Sequence, residues 1–304
     1  MRGLVMKSTG SWYTVLGDDN QTYASRVRGK IRLDGIKETN PVAVGDYVEL
    51  TVNGNEASIE KILPRENYVV RQSVKKTGHT HVIAANIDQA LLVVTLAFPR
   101  TSLGFIDRFL VAAESFRIPQ VLVFNKSDLL DGESLAAVNA LIGLYRSINV
   151  TCFLTSGLHA EQEELRSILK GKKTLVAGHS GVGKSTLLNR LSPGIMQAVG
   201  DVSAFTEKGT HTTTFAEMFR LNEDTFIIDT PGIKELGLVD MSPEEVSDYF
   251  PEMRELRNEC KFSARCLHLN EPKCAVLKAL EAGQIAPSRY ESYVSMVRGE
   301  DNRR

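Results

Sequence analysis

The stretch "KTLVAGHSGVGKSTLLNRL", Lys173 to Leu191, limits the fold more than any other part of this sequence. A short apolar run leads into a glycine-spaced loop, and an amphipathic run follows it. That is strand, loop and helix, the setting a phosphate-binding loop requires. Gly178, His179, Ser180, Gly181, Val182, Gly183, Lys184 and Ser185 fit the loop pattern without a mismatch, with Thr186 next. Glycines at these positions let successive backbone N–H groups point at phosphates, at the positive end of the following helix. Lys184 supplies a point charge to the β and γ phosphates, and the Ser185 hydroxyl can sit on Mg²⁺. The bland alternative is a chance glycine-rich turn, which would not need that flanking periodicity.

From about residue 85 to 235 the chain repeats this texture. "QALLVVTL" and "PQVLVFN" flank the helix-like "FIDRFLVAAESF". "NVTCFLTS" follows "ESLAAVNALIGLYRSI", and "KTLVAG" follows "AEQEELRSILKG". Apolar strands alternating with amphipathic helices predict a parallel sheet with crossover helices. The first 70 residues differ. Short β-type runs such as "GSWYTVLG", "QTYASRVRGKIRL", "GDYVELTV" and "EASIEKIL" are parted by turn residues, predicting a small all-β domain of barrel type. From about 236 the chain is polar and helix-like. A length of 304 residues suits several domains, here divided as 1–70, 71–235 and 236–304.

Two further motifs belong with the phosphate loop. "FIIDTPG" ends a strand in Asp229-Thr-Pro-Gly232, where Asp229 would hold the Mg²⁺ shell and the Gly232 N–H would meet the γ-phosphate. Between them lies "EKGTHTTTFAE". One of its threonines should close over Mg²⁺, Thr213 first and Thr212 second; a polar turn is the plain alternative. "VLVFNKSD" ends another strand in Asn125-Lys126-Ser127-Asp128. A carboxylate only accepts hydrogen bonds, so Asp128 can take the ring N–H and the amine of guanine. Adenine would face it with a lone pair, and unpaired polar groups reject a wrong base strongly. Asn125 would orient the loop and contact the base edge, Lys126 would cover the base face, and the backbone near Ser156 in "FLTSG" would approach the guanine carbonyl.

The base-reading motif precedes the phosphate loop, the reverse of the ordinary order. The pattern is that of a nucleotide-binding domain cut after the Asp-Thr-Pro-Gly strand, its old ends joined through "AEQEELRSILKGKK". Termini that lie close together on the surface make such a cut tolerable. Its consequence is that the Asp-Thr-Pro-Gly loop runs directly into the C-terminal segment.

Taken together, "AANIDQ" (Ala84 to Gln89), "NKSD", "GHSGVGKSTLLN", "KGTHTTT", "DTPGI" and "CKFSARCLHLNEPKCAV" resemble the circularly permuted ribosome small-subunit-dependent GTPase A family along nearly the whole chain. The resemblance implies an oligonucleotide-binding (OB) fold at the N-terminus, a permuted P-loop GTPase domain and a mostly helical C-terminal zinc domain. It also implies hydrolysis of GTP to GDP and phosphate, stimulated by the small (30S) subunit as a checkpoint late in its maturation, with contact to 16S rRNA. A monomer is expected. Five residues separate Cys260 from Cys266, one more than the family pattern, which lengthens a loop without removing a ligand.

Cys260, Cys266, His268 and Cys274 are three thiols and one imidazole, the composition of a closed structural Zn²⁺ site. Buried free thiols or a redox pair are the rival readings. Cys152, in a β run, reads as a small core residue. In "RVRGKIR" a period of two would put Arg26, Arg28, Lys30 and Arg32 on one strand face, suited to an RNA backbone, with Arg71, Lys75 and Lys76 as candidates to extend it. An ordinary solvated strand face is the alternative. Net charge is only −1, so any nucleic-acid contact must rest on such a local patch. Ile233 follows Gly232 where many GTPases carry a water-orienting Gln. Unassisted hydrolysis should therefore be slow, with His211 the candidate to position or polarise the water once the ribosome orders its loop. A solvated loop histidine is the plain alternative. Without a signal-peptide pattern or an apolar run of membrane length, the expected location is the cytoplasm, away from membranes.

Overall fold

Period-two burial organises the N-terminal strands. In β2 (Tyr13–Gly17) Tyr13, Val15 and Gly17 turn inward. In β4 (Tyr47–Asn53) Val48 and Leu50 are buried between exposed Tyr47, Glu49 and Thr51. In β5 (Glu56–Ile62) the alternation slips after Ile59, because the register with β4 jumps from Leu50↔Ile59 to Glu49↔Lys61. That bulge leaves Glu60 unpaired and returns Ile62 to the interior. With β1 (Arg2–Ser8) and β3 (Thr22–Val27) these strands run in the order β1-β2-β3-β5-β4, and a β1–β4 pairing closes the ring. The β3–β5 pair is parallel. A five-stranded barrel results, filled by Val5, Tyr13, Val15, Val42, Val48, Leu50, Ala57, Ile59 and Ile62.

The computed structural model describes residues 1–28, 41–54, 56–72, 80–156, 163–191, 216–229 and 241–300. They divide into two units: 1–91, 157–178 and 183–235 in the first, the rest in the second. In the first unit, β1 also pairs with β12 (Glu217–Arg220), at Lys7↔Glu217, and the Lys7 ammonium meets both Glu217 oxygens at 2.9 Å. The sheet continues through β13 (Phe226–Asp229) to β11 (Lys173–Ala177). β11 and β13 are parallel and almost wholly buried, with Val176 opposite Asp229. β6 (Tyr68–Gln72) and β7 (Thr80–Ala85) form a separate antiparallel pair.

The stretch Ala84 to Gln89 acts as a joint in that unit. The Ala85 N–H donates to Val44 O, and any side chain at Gly45 (φ +88°) would run into the Ala85 carbonyl. Asn86, itself at φ 53°, donates to Gly45 O and accepts from Glu66 N. Asp88 accepts from Lys173 N at 2.6 Å, and Gln89 Nε2 donates to Thr174 Oγ1 and to Ile168 O at 2.9 and 3.0 Å. Barrel, hairpin and the start of β11 are thereby held together. Ile168 belongs to α3 (Glu163–Leu169), so Gln89 also ties down the segment that joins the permuted ends.

In the second unit β10 (Thr151–Leu154), β9 (Gln120–Phe124) and the Leu92–Val94 end of β8 (Gln89–Val94) lie side by side, β10 and β9 parallel. Cys152 is buried in β10, as a core residue should be. α1 (Leu103–Ser115) starts where the Ser102 hydroxyl accepts from Phe105 N, and α2 (Gly132–Ser147) where Asp131 accepts from Ser134 N. α1 is buried on most sides, as its run of apolar residues requires. α5 (Pro251–Arg254), α6 (Ala275–Glu281) and α7 (Pro287–Val297) build the C-terminal region around Val246, Phe250, Met253, Val276, Tyr293 and Met296. Val111 of α1 is part of that core. Among the described residues no helix is long and apolar enough to cross a membrane.

Candidate functional site

β11 delivers the chain to the glycine loop. Gly178, Gly181 and Gly183 have φ of 145°, 82° and 94°, conformations that L side chains avoid. α4 (Lys184–Leu191) begins at once, with Gly183 O accepting from Leu187 N. The Lys184 ammonium curls back over the loop to Gly178 O at 2.7 Å. Val182 is fully buried, whereas Ser180, Gly181 and Thr186 are exposed. The register of β11 with β13 puts Asp229 at the same end of the sheet as this loop, and its neighbour Ser185 is half-buried. Carboxylate, hydroxyl and ammonium thus share the edge at which parallel α/β sheets take ligands.

The second motif is built by hydrogen bonds that sequence spacing alone does not reveal. Asn125 directly follows β9, and its N–H donates to Val94 O. Its side-chain amide donates to Val182 O at 2.9 Å and accepts from Thr155 Oγ1 at 2.9 Å. The buried amide therefore fixes the Asn125–Asp128 loop against the glycine loop and against the end of β10. Lys126 takes the left-handed conformation (φ 62°, ψ 39°), and its ammonium donates to Phe98 O at 2.7 Å. Ser127 N donates to Thr155 O, and the Ser156 hydroxyl donates to Asp128 Oδ1 at 2.5 Å. Asp128 itself is exposed, while Ser156 is buried.

The cysteine cluster lies in the C-terminal region. One ligand atom from each of Cys260, Cys266, His268 and Cys274 falls within 4.8 Å of all the others. A tetrahedral Zn²⁺ with bonds of about 2.3 Å to sulfur and about 2.0 Å to nitrogen would separate S from S by about 3.8 Å and S from N by about 3.6 Å. The Cys260 and Cys274 sulfurs are 3.8 Å apart, and His268 Nδ1 is 3.6 and 3.3 Å from them. Sulfur also accepts backbone N–H groups, Ala275 N on Cys260 and Leu277 N on Cys274. Burial pushes the Cys266 thiol up to about 12 and raises Cys274, while burial lowers His268 and keeps its imidazole neutral. Buried thiols that resist ionising alone, around a neutral imidazole, suit a divalent cation. The residues fit the metal. Ser263, His268 and Lys273 all have positive φ, so the ligand loops sit in a conformation that their folding alone does not favour. The longer Cys260–Cys266 loop is taken up in a short turn at Ser263–Arg265, and both cysteines stay in the cluster.

Residues 62–239 match the RsgA GTPase family and residues 2–59 match the RsgA N-terminal domain. The chain belongs to the RsgA GTPase family. It is 48% identical over 303 residues to the small ribosomal subunit biogenesis GTPase RsgA of Bacteroides fragilis, covering 99% of this chain and 97% of that one. Identity is also 48% over 309 residues to the protein of the same name from Cytophaga hutchinsonii, covering 100% of both. Among solved structures it is similar to YjeQ from Thermotoga maritima (TM-score 0.79, 37% identity, covering 100% of this chain and 99% of that one). It is similar too to YloQ, a circularly permuted GTPase (TM-score 0.74, 32% identity, covering 100% and 96%). The expected architecture of this family member is borne out: a five-stranded barrel, a permuted GTPase domain and a helical region carrying the cysteine–histidine cluster.

His211, Thr212, Thr213, Thr214, Gly232 and Ile233 lie outside the described residues, as do Lys30, Arg32, Lys75 and Lys76. β3 of this GTPase ends at Val27, so the period-two argument for a basic face reaches Arg26 only. Arg26 is exposed and lies over Trp12, its guanidinium carbon 3.6 Å from the ring centroid, and exposed Arg28 meets Glu60 at 3.3 Å. Sequence reasoning missed Thr155, which holds the Asn125 amide, and the Thr95–Thr101 loop, whose Phe98 carbonyl anchors Lys126. Thr155 stands beside Ser156 in "FLTSG" and was within reach. The loop carries no motif.

Proposed function

We propose that this GTPase works in biogenesis of the small ribosomal subunit: it binds the 30S subunit and its 16S rRNA and hydrolyses GTP to GDP and phosphate as a late maturation checkpoint, stimulated by the subunit. The full-length match at 48% identity to proteins named for small-subunit biogenesis carries this reading. The cytoplasm is the corresponding location, and a monomer the working form. Asp128, held by Ser156, reads guanine; Asn125 joins the two loops; the Lys126 stem covers the base. The glycine loop's N–H groups and Lys184 hold the phosphates, with His179, Ser180, Val182 and Thr186 completing its wall. Ser185, Thr213 and Asp229 would hold Mg²⁺, which would supply positive charge to offset the charge that develops on the phosphates during transfer.

Hydrolysis then depends on where the water sits. Gly232 N–H meets the γ-phosphate, and His211 positions the attacking water when the subunit is bound. Exposed cations on the barrel, Arg26 and Arg28 first, meet the rRNA backbone. One Zn²⁺ held by Cys260, Cys266, His268 and Cys274 is structural, since four protein ligands leave no position for water. Turnover measured with and without purified 30S subunits tests the reading. Strong stimulation is expected; equal rates would leave a nucleotide-dependent RNA-binding module whose hydrolysis is incidental.

A further inference from the structure

A continuous set of contacts in the second unit runs from the cysteine cluster to the glycine loop. On α7, Tyr293 OH donates to Leu267 O at 2.7 Å and Tyr290 OH to His268 O at 2.8 Å, so the helix holds the loop that carries the imidazole. The same helix carries Arg289, which is 1% exposed. Its guanidinium donates to Glu252 through Nε (2.7 Å) and Nη2 (3.2 Å) and to Asp107 Oδ1 through Nη1 (2.8 Å), and it lies 4.4 Å from the Phe250 ring centroid. Asp107 is in the middle of α1 and also accepts from Tyr145 OH at 2.9 Å. Two residues back along α1, Phe105 lies against His179, ring centroids 4.2 Å apart at 32°. His179 is the second residue of the glycine loop.

A buried ion pair is a poor source of stability, because desolvation offsets most of the attraction. Here the balance is worse still, since Asp107 Oδ2 has no hydrogen-bond partner among the described residues. What such a planar fork supplies is direction: it fixes the rotation and height of α1 against α7 in a way that apolar packing does not. α1 is in turn what Phe105 leans from. We propose that Asp107 and Arg289 are positioning residues for GTP hydrolysis, fixing α1 so that Phe105 sets His179 and with it the phosphate loop. The C-terminal region is then coupled to the nucleotide by folded contacts, in addition to the covalent passage out of the Asp-Thr-Pro-Gly strand. The inference rests on residues 178–185 being the phosphate loop.

The test uses the full-length protein with Arg289→Met, Arg289→Lys, Phe105→Leu, the double variant Phe105→Leu/Arg289→Met, and Lys184→Ala. Fluorescent-GDP affinity, KM and kcat for GTP, zinc content and thermal midpoint are measured on each. Phe105→Leu and Arg289→Met should each weaken nucleotide affinity about tenfold, with the double variant little worse than either, because both act on one element. Arg289→Lys should recover part of the loss, and zinc content should stay at one per chain in Phe105→Leu. A lowered midpoint with unchanged affinity in the folded protein overturns the inference, and so do strictly additive losses. Should Arg289→Met not fold, Arg289→Lys and Phe105→Leu decide by the same criteria. Lost binding in Lys184→Ala beside normal Phe105→Leu and Arg289→Lys overturns the inference alone; normal binding in Lys184→Ala overturns the phosphate-loop reading as well.

Discussion

Replacing Asn125 by Ala removes a buried side chain that ties the Asn125–Asp128 loop to the glycine loop. Two hydrogen bonds disappear, to Val182 O and from Thr155 Oγ1, both 2.9 Å, and both partners are buried. A neutral hydrogen bond between buried groups is worth about 1 kcal/mol net, and a buried group left unsatisfied loses about 1–3 kcal/mol, so the change totals about 2–4 kcal/mol. That sum divides between the fold and the ligand. If all of it falls on binding, GDP affinity drops by about 30-fold to several hundred-fold, at about 1.4 kcal/mol per factor of ten. If all of it falls on the apo protein, the thermal midpoint drops by several degrees, at about 2–4 °C per kcal/mol for a domain of this size. Fluorescent-GDP titration and thermal denaturation with and without GDP measure both shares. Asn125→Asp refines the result, since it keeps an acceptor for Thr155 and sets a carboxylate against the Val182 carbonyl; it should be at least as damaging. An Asn125→Ala protein that binds GDP within about threefold of the parent and melts at the same temperature would refute the reasoning, because the losses must appear somewhere.

Asp128→Asn replaces an acceptor-only group with one that presents a donor to the guanine N–H groups; competition binding should show GTP affinity falling by about a hundredfold or more without a gain for ATP. Metal analysis should find one zinc per chain, and its removal by a chelator should melt residues 241–300 by circular dichroism; a metal-free, well-folded C-terminal region would rule the site out. Burial raises the Cys266 and Cys274 thiols, so zinc has to displace their protons: its affinity should weaken as pH falls, with proton release visible in calorimetry across buffers. Reversing charge at Arg28 and Lys30 should weaken 30S binding and flatten its salt dependence by about one unit per lost phosphate contact, with nucleotide affinity spared. Arg28 is an exposed partner of Glu60, so the fold should barely notice. His211→Ala should lose the subunit-stimulated rate, and an intact rate would remove it from the mechanism.

The motifs were legible because each is a local consequence of chemistry. A glycine loop between a strand and a helix, an Asp after a buried strand, and four soft ligands within fifteen residues all announce themselves in one dimension. The barrel was legible from alternation, though not the bulge at Glu60, which depends on the partner strand. The joints were not. Asn125 and Val182 are 57 residues apart, and nothing in either name says that an amide will meet that carbonyl. Asp107 reads as an ordinary polar position on an amphipathic helix, and Arg289 as a surface cation near the C-terminus. Their pairing across 182 residues is a property of the packed state. Similarly, "AANIDQ" was recognisable as a pattern while its work, binding Gly45, Glu66, Lys173 and Thr174, needed the third dimension.

These joints bear on why the permuted order is tolerated. Cutting a GTPase domain after the Asp-Thr-Pro-Gly strand leaves the new junction, through α3 into β11, to be held without the original chain ends. Gln89 does this with one amide: Nε2 bonds Ile168 O and Thr174 Oγ1, and Oε1 accepts from the Lys172 ammonium at 3.1 Å. On the other side of the cut, the C-terminal region is secured by burying Val111 and Asp107 of α1 with its own helices, not by the chain passing out of β13 alone. A covalent link by itself fixes little beyond distance; a buried guanidinium fork on a packed helix transmits both distance and angle. Permutation therefore did not need to create a new signal path. It needed the cysteine-bearing region to pack on a helix already backing the glycine loop, and α1 is that helix.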